Sequence, residues 1–242
     1  MFAAFPASFA FPSHIKNITI LFYKFLPRPI ATLLYSSLLI KTMDIANLIK
    51  EYKKRKKEIK SRLIDFKKQN DHFYELCFCT LTPQSNAYRC HECIQVLKKQ
   101  EFLKKNMQIN HILQKYTRFH NNKSKYLISI KETHEKVFQD LDKILDPRKK
   151  REYLVKNVKG LGLKEASHFL RNIGYTDLAI LDRHILRNLQ KLKVIIQIPR
   201  SLTKKVYLDI EEKFKKFSKK IKIPMDELDL LFWSMQTGSV FK

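Results

Sequence analysis

Glycine is scarce in this chain and crowded where it occurs: of four glycines in 242 residues, three, Gly160, Gly162 and Gly174, fall within fifteen positions. A fold that reverses direction every few residues needs more glycine than this, because tight turns place residues at positive φ. The scarcity disfavours a turn-rich all-β fold and predicts an all-α one. With 44% of its residues hydrophobic, the chain can bury one large core or two small lobes sharing a cleft.

The apolar spacing is helical. Ile45, Leu48, Ile49, Tyr52, Ile59, Leu63 and Phe66 recur mostly at intervals of three or four, which predicts an amphipathic first helix with a basic outer face. Phe73 to Leu81 reads as a buried helix, with Thr82 and Pro83 as the cap and first residue of the next. Asn122 or Ser124 is expected to start a long helix ending near Leu145, and Asp146 with Pro147 forms a further cap and first-turn pair. Ser201 and Pro224 mark two more starts. The one β-like run, Val194 to Ile198, is too isolated to build a sheet, and there is no repeat at solenoid periods.

Forty-eight Lys and Arg against twenty-three Asp and Glu give a net charge of +25, spread along the chain rather than gathered in a tail. Such a surplus suits a polyanionic partner, since neutralising phosphates releases counterions. Solvated lysine-rich helix faces are the alternative that charge by itself leaves open. Residues 1–42 differ from the rest, with no acidic and four basic residues. A membrane span would need about 20 apolar residues, and Lys24, Pro27, Arg28 and Pro29 interrupt this stretch. The expectation is an extension outside the fold, upstream of a start at Met43, with 43–242 as the domain, no membrane partner and a cytoplasmic, nucleoid-associated location.

Cys77, Cys79, Cys90 and Cys93 form a CxC and a CxxC, a spacing that suggests zinc. On a helical wheel, however, Ala87, Cys90, Cys93, Ile94 and Leu97 share the apolar side, which reads as free cysteines in a core and no metal. No later cysteine cluster follows the candidate site, so an iron–sulfur cluster has no ligands there.

The glycine-rich stretch carries the chemistry. Gly160 and Gly162 bracket Leu161, after a helix presenting Leu154 and Val158 and before one presenting Ala166, Phe169 and Leu170. This is a helix-hairpin-helix over about 154–173, with Gly174 fitting a helix C-cap. Backbone N–H groups of Gly160, Leu161 and Gly162, with the next helix's N-terminus, can hold a DNA phosphate without reading bases. A merely compact helix corner is the competing reading.

The segment LVKNVKGLGLKEASHFLRNIGYTDLAILDRHILRNL resembles the helix-hairpin-helix DNA glycosylase superfamily, in which a Gly-Pro-rich loop leads to a catalytic Asp. ELCFCTLTPQSNA, RFHNNKSKYL and LDLLFWSMQTGSVFK extend the similarity, most closely to archaeal-type 8-oxoguanine DNA glycosylase/AP lyases, over about Met43 to Lys242. The loop GYTDLAILD lacks the usual proline but keeps the Asp. The resemblance implies two helical lobes with the hairpin at their cleft. It also implies a bifunctional enzyme that removes 8-oxoguanine from duplex DNA and cleaves the strand.

By that resemblance Lys164 is the attacking amine and Asp182, eighteen residues on, its carboxylate partner. A primary amine at a helix start is disfavoured as a cation, as a nucleophile requires, and a carboxylate stabilises the positive charge that develops on the sugar. Lysine is usually a surface residue, and Asp182 is also a ready-made N-cap for RHILRNL. The resemblance further places Trp233 and Lys242 at the extruded base, Gln84, Ser85 and Asn86 at a corner approaching the lesion, and Phe119 and His120 at the duplex gap. For Trp233 a core anchor is the plainer alternative. No cofactor is implied beyond a monovalent or divalent cation at the hairpin–phosphate contact, and a monomer on one duplex is the simplest assembly. Another lesion specificity, or a non-catalytic helix-hairpin-helix module, are the competing functions.

Overall fold

The computed structural model describes residues 44–241. The expectations for residues 1–42 and for Lys242 fall outside them. Ten helices and no strand occur among the described residues: α1 (Ile45–Lys67), α2 (His72–Leu81), α3 (Ala87–Lys99), α4 (Asn110–Tyr116), α5 (His120–Asp142), α6 (Pro147–Asn157), α7 (Leu163–Asn172), α8 (Arg183–Lys191), α9 (Lys204–Ile221) and α10 (Met225–Thr237).

Two apolar cores divide them. The first gathers Phe73, Phe78, Leu97, Leu113, Leu127, Leu154 and Phe169 from α2 to α7. The second gathers Leu48, Ile59, Leu189, Phe214, Leu228 and Phe232 from α1 and from α8 to α10. Each buried Leu or Phe side chain contributes about 1.5–3 kcal/mol of transfer free energy, so the separate cores define the two expected lobes. α1 belongs to the second lobe although it is the first of the described helices, and it buries Leu48, Tyr52, Ile59 and Phe66 there. None of the four cysteines forms a disulfide, and all are buried in the first core. Burial pushes the Cys90 thiol up to about 11 and Cys93 up to about 12.

Several helix boundaries differ from the sequence expectation. Thr82 closes α2 rather than capping α3, its hydroxyl donating back to Cys79 O at 2.9 Å. Pro83 therefore lies in the corner, the chain reverses through Gln84 at φ 54°, and α3 is capped by Asn86, whose Oδ1 accepts Arg89 N at 3.1 Å. α5 starts at His120 behind a left-handed Phe119 (φ 57°), ahead of Asn122 and Ser124, and stops at Asp142, leaving Leu145 91% exposed. Thr203, not Ser201, caps α9. Asp146 caps α6 as expected, its Oδ1 accepting Arg148 N and Lys149 N, and Pro224 immediately precedes α10. Val194 and Ile195 form no strand; their N–H groups fold back onto Leu189 O and close α8.

Candidate active site

α6 and α7 form the two arms of the hairpin. Val158 ends α6, its N–H donating to Leu154 O at 2.9 Å, and Leu161, 6% exposed, pins the turn into the first core. Gly160 sits at φ +88°, and a Cβ there would stand 2.5 Å from the Tyr126 ring, so both backbone and space demand glycine. Gly162 N donates to Glu165 Oε2 at 3.1 Å, and Leu161 N to Val158 O at 3.3 Å. Two of the three hairpin amides are thus engaged within the turn, and the first-turn amides of α7 lie beyond the reach of intrahelical acceptors. Gly174, at φ +94°, closes α7 as the pattern required.

Lys164 is the second residue of α7, its side chain 23% exposed, and its nearest anion is Glu165 Oε1 at 3.6 Å. No ion pair joins it to Asp182 among the described residues. Asp182 caps α8, its Oδ1 accepting Ile185 N at 2.8 Å. What holds Asp182 is the loop before it. Glu211 of α9 accepts Ala179 N at 2.8 Å and takes a two-pronged pair from Arg151 of α6, at 2.6 and 2.8 Å. Tyr207 donates its hydroxyl to Ala179 O at 2.5 Å and accepts Leu181 N at 3.4 Å. The hairpin's first helix and the strand of chain reaching Asp182 therefore share one buried anchor.

A second carboxylate lies near. Asp229 of α10 pairs with Arg171 of α7 (Nη1 to Oδ2, 3.5 Å) and is electrostatically coupled to both Lys164 and Asp182. Burial is the main reason its pKa rises to about 7, opposed by Arg171 and Lys164 and reinforced by Asp182. Its neighbour Asp226, whose Oδ2 accepts Asp177 N, is raised by burial to about 6.

Trp233, half-buried on α10, meets His184 edge-on with ring centroids 6.0 Å apart, and its Nε1 has no hydrogen-bond partner among the described residues. Just ahead of Lys242, Phe241 stacks on Tyr88 at 4.5 Å while Arg62 Nε donates to Phe241 O at 2.7 Å. At the α2–α3 corner, Gln84 and Asn86 are exposed. Ser85 is engaged internally, its Oγ accepting Arg118 N at 3.0 Å and Lys123 Nζ at 2.9 Å. Phe119 is 53% exposed with the Arg118 guanidinium over its ring, and His120 opens α5 beside it.

The sequence reading omitted Glu211, Arg151, Tyr207, Asp229 and Lys123. Two of these had a local signal: Asp229 is an acid inside the apolar run LDLLFW, and Lys123 stands at helical spacing from buried Leu127 and Ile130. The candidate metal ligands supply no cluster of three or more His, Cys, Asp or Glu among the described residues. Among those residues, too, no helix is long and apolar enough to cross a membrane.

An all-helical, two-lobed fold with a hairpin leading to a lysine and a downstream aspartate is the architecture of the helix-hairpin-helix DNA glycosylases. Residues 45–223 match the family described as 8-oxoguanine DNA glycosylase, and the chain belongs to it. The 8-oxoguanine DNA glycosylase/AP lyase of Fusobacterium nucleatum is 45% identical over 207 residues, covering 80% of this chain and 95% of that protein. The enzyme of the same name from Methanocaldococcus jannaschii is 35% identical, covering 84% and 96%. A crystal structure of the M. jannaschii 8-oxoguanine glycosylase/lyase with a 15mer DNA containing 8-oxoguanine aligns at a TM-score of 0.73, with 33% identity over 81% of this chain and 99% of that one. The Thermotoga maritima 8-oxoguanine DNA glycosylase aligns at 0.74, with 32% identity over 81% and 97%.

Proposed function

We propose that this protein removes 8-oxoguanine from duplex DNA and then cleaves the strand. The observation that carries the reading is the delivery of Lys164 and Asp182 to two helix starts. Lys164, after giving up a proton, attacks C1′. The glycosidic bond breaks, its electron pair leaves with the base, and the base takes up a proton. Asp182, with one oxygen committed to its cap, turns its remaining negative charge toward the sugar as positive charge develops there. The C1′–O4′ bond then opens, its electron pair going to O4′, which takes up a proton, and C1′ is left in a Schiff base with the lysine; this acidifies C2′, and loss of a C2′ proton expels the 3′ phosphate.

The hairpin at Gly160, Leu161 and Gly162 holds the backbone phosphate. The same hairpin would hold a monovalent or divalent cation, which would supply positive charge toward that phosphate; no other cofactor enters the reading. Trp233 and Lys242 receive the extruded base, while Gln84, Asn86, Phe119 and His120 face the duplex, with Ser85 holding their corner together. Residues 43–242 act as a monomeric catalytic domain in the cytoplasm, on the nucleoid, and residues 1–42 are dispensable to it.

Borohydride trapping on a duplex with one 8-oxoguanine tests this. A covalent adduct forms with the wild-type chain and with a chain starting at Met43, and is lost in Lys164→Gln with DNA binding retained. Equal trapping by Lys164→Gln would remove Lys164 from the mechanism.

A further inference from the structure

Lys123 carries its charge where lysine is rarely found. It is 4% exposed, in the first turn of α5, and reaches into the corner between α2 and α3. Its Nζ donates to Leu81 O at 2.7 Å, Pro83 O at 2.8 Å, Ser85 Oγ at 2.9 Å and Thr117 Oγ1 at 2.7 Å. Three protons shared among four oxygens compensate a buried ammonium. Burial lowers its pKa to about 8.

The oxygens belong to two segments far apart in sequence, 81–85 and 117. Ser85 Oγ bridges them again by accepting Arg118 N at 3.0 Å. Each segment carries an exposed non-glycine residue in the left-handed region, Gln84 at φ 54° and Phe119 at φ 57°. Such a conformation costs on the order of 1 kcal/mol and persists only where the surroundings impose it. Both stand beside residues that the knot around Lys123 engages, Pro83 and Ser85 on one side and Arg118 and Lys123 on the other.

We propose that Lys123 is a positioning residue: by binding both segments it fixes Gln84 and Phe119 as one rigid edge that enters the duplex as the target nucleotide leaves. This rests on the glycosylase reading above. Lys123 touches neither base nor sugar in this role. It acts through the exposed pair, and the demand on it is greatest when a base must be drawn from the stack.

The test compares single-turnover release of 8-oxoguanine from a duplex with borohydride trapping on a preformed abasic site, where no base needs extraction. Lys123→Met slows release roughly thirtyfold and lowers the trapping rate less than about threefold. In a Phe119→Ala background the same substitution adds less than about threefold to the loss of release, because the edge is already gone. Equal losses on the two substrates, or additivity with Phe119→Ala, overturn the proposal. If circular dichroism shows Lys123→Met to be unfolded, Ser85→Ala combined with Thr117→Val removes two of the four acceptors and must give the same unequal losses; equal losses there overturn it too. A wild-type chain inert on both substrates overturns the glycosylase reading and this inference with it, whereas an active wild type with equal losses in the variants overturns Lys123 alone.

Discussion

Arg151 and Glu211 face each other with their side chains 2% and 1% exposed, guanidinium to carboxylate through two hydrogen bonds. The same Glu211 oxygen that meets Arg151 Nη1 accepts Ala179 N, three residues before Asp182. One carboxylate therefore fixes the hairpin's first arm and the approach to the candidate catalytic aspartate together. Removing its charge strands a buried guanidinium, a loss of about 3–5 kcal/mol. Urea unfolding of Glu211→Gln is expected to show a fall of that size; a change under about 1 kcal/mol would mean that solvent reaches Arg151.

Asp182 has a structural duty and a proposed chemical one, and two substitutions separate them. Asparagine caps a helix about as well as aspartate, whereas alanine costs about 1 kcal/mol. Asp182→Asn is expected to keep the melting temperature and Asp182→Ala to lower it. Both should slow base release by about a hundredfold or more, since each removes the negative charge beside the sugar. Asp182→Asn with wild-type release would leave Asp182 as a cap and nothing else.

Gly160→Ala introduces a methyl against the Tyr126 ring at a positive φ. The strain is on the order of 1–3 kcal/mol, read as a lower unfolding midpoint together with weaker binding to undamaged duplex. Adding Tyr126→Ala should recover the part due to the clash and none of the part due to φ. Full recovery would show that the backbone tolerates the left-handed conformation without glycine.

Asp226 gives the fold a pH dependence whose sign follows from its raised pKa. The folded state holds the proton more tightly than the unfolded chain, whose carboxyl titrates near 3.8, so this group favours folding at low pH. That contribution is lost as pH rises through about 6. Asp226→Asn keeps an acceptor for Asp177 N and should raise stability at pH 8 by about 2 kcal/mol while changing nothing below the unfolded-state titration. Unfolding curves at the two pH extremes check it; a destabilised variant at pH 8 would show that Arg171 depends on Asp226 for its charge balance.

The sequence made legible what depends on local pattern. The hairpin glycines, the Asp146–Pro147 start, the cysteine face of α3 and the Asp182 cap of α8 all follow from neighbours within a turn or two. Lys123 and the Arg151–Glu211 pair were not legible in the same way. Helical spacing indicates that a residue points inward but not which distant element it will meet, and these charges are accepted in the core through partners that include Leu81, 42 residues from Lys123, and Glu211, 60 from Arg151. Thr82 and Pro83 misled for a related reason. A Thr-Pro pair fits either a helix start or a helix end, and the choice was made by the reversal at Gln84, whose left-handed backbone is held from α5.

The position of α1 has a consequence for how the molecule comes into being. The apolar core of the first lobe is drawn almost wholly from one uninterrupted stretch, α2 to α7, with Leu178 and Phe241 added from beyond it, while buried Arg151 still waits for Glu211 of α9. The second lobe is split, because α1 must wait for α8 to α10 before its apolar face is covered. Among the described helices α1 is thus the clasp that shuts last, against α8 to α10. A nascent chain arrested after residue 180 should show protected amides in α2 to α7 and none in α1; early protection of α1 would contradict this order of assembly.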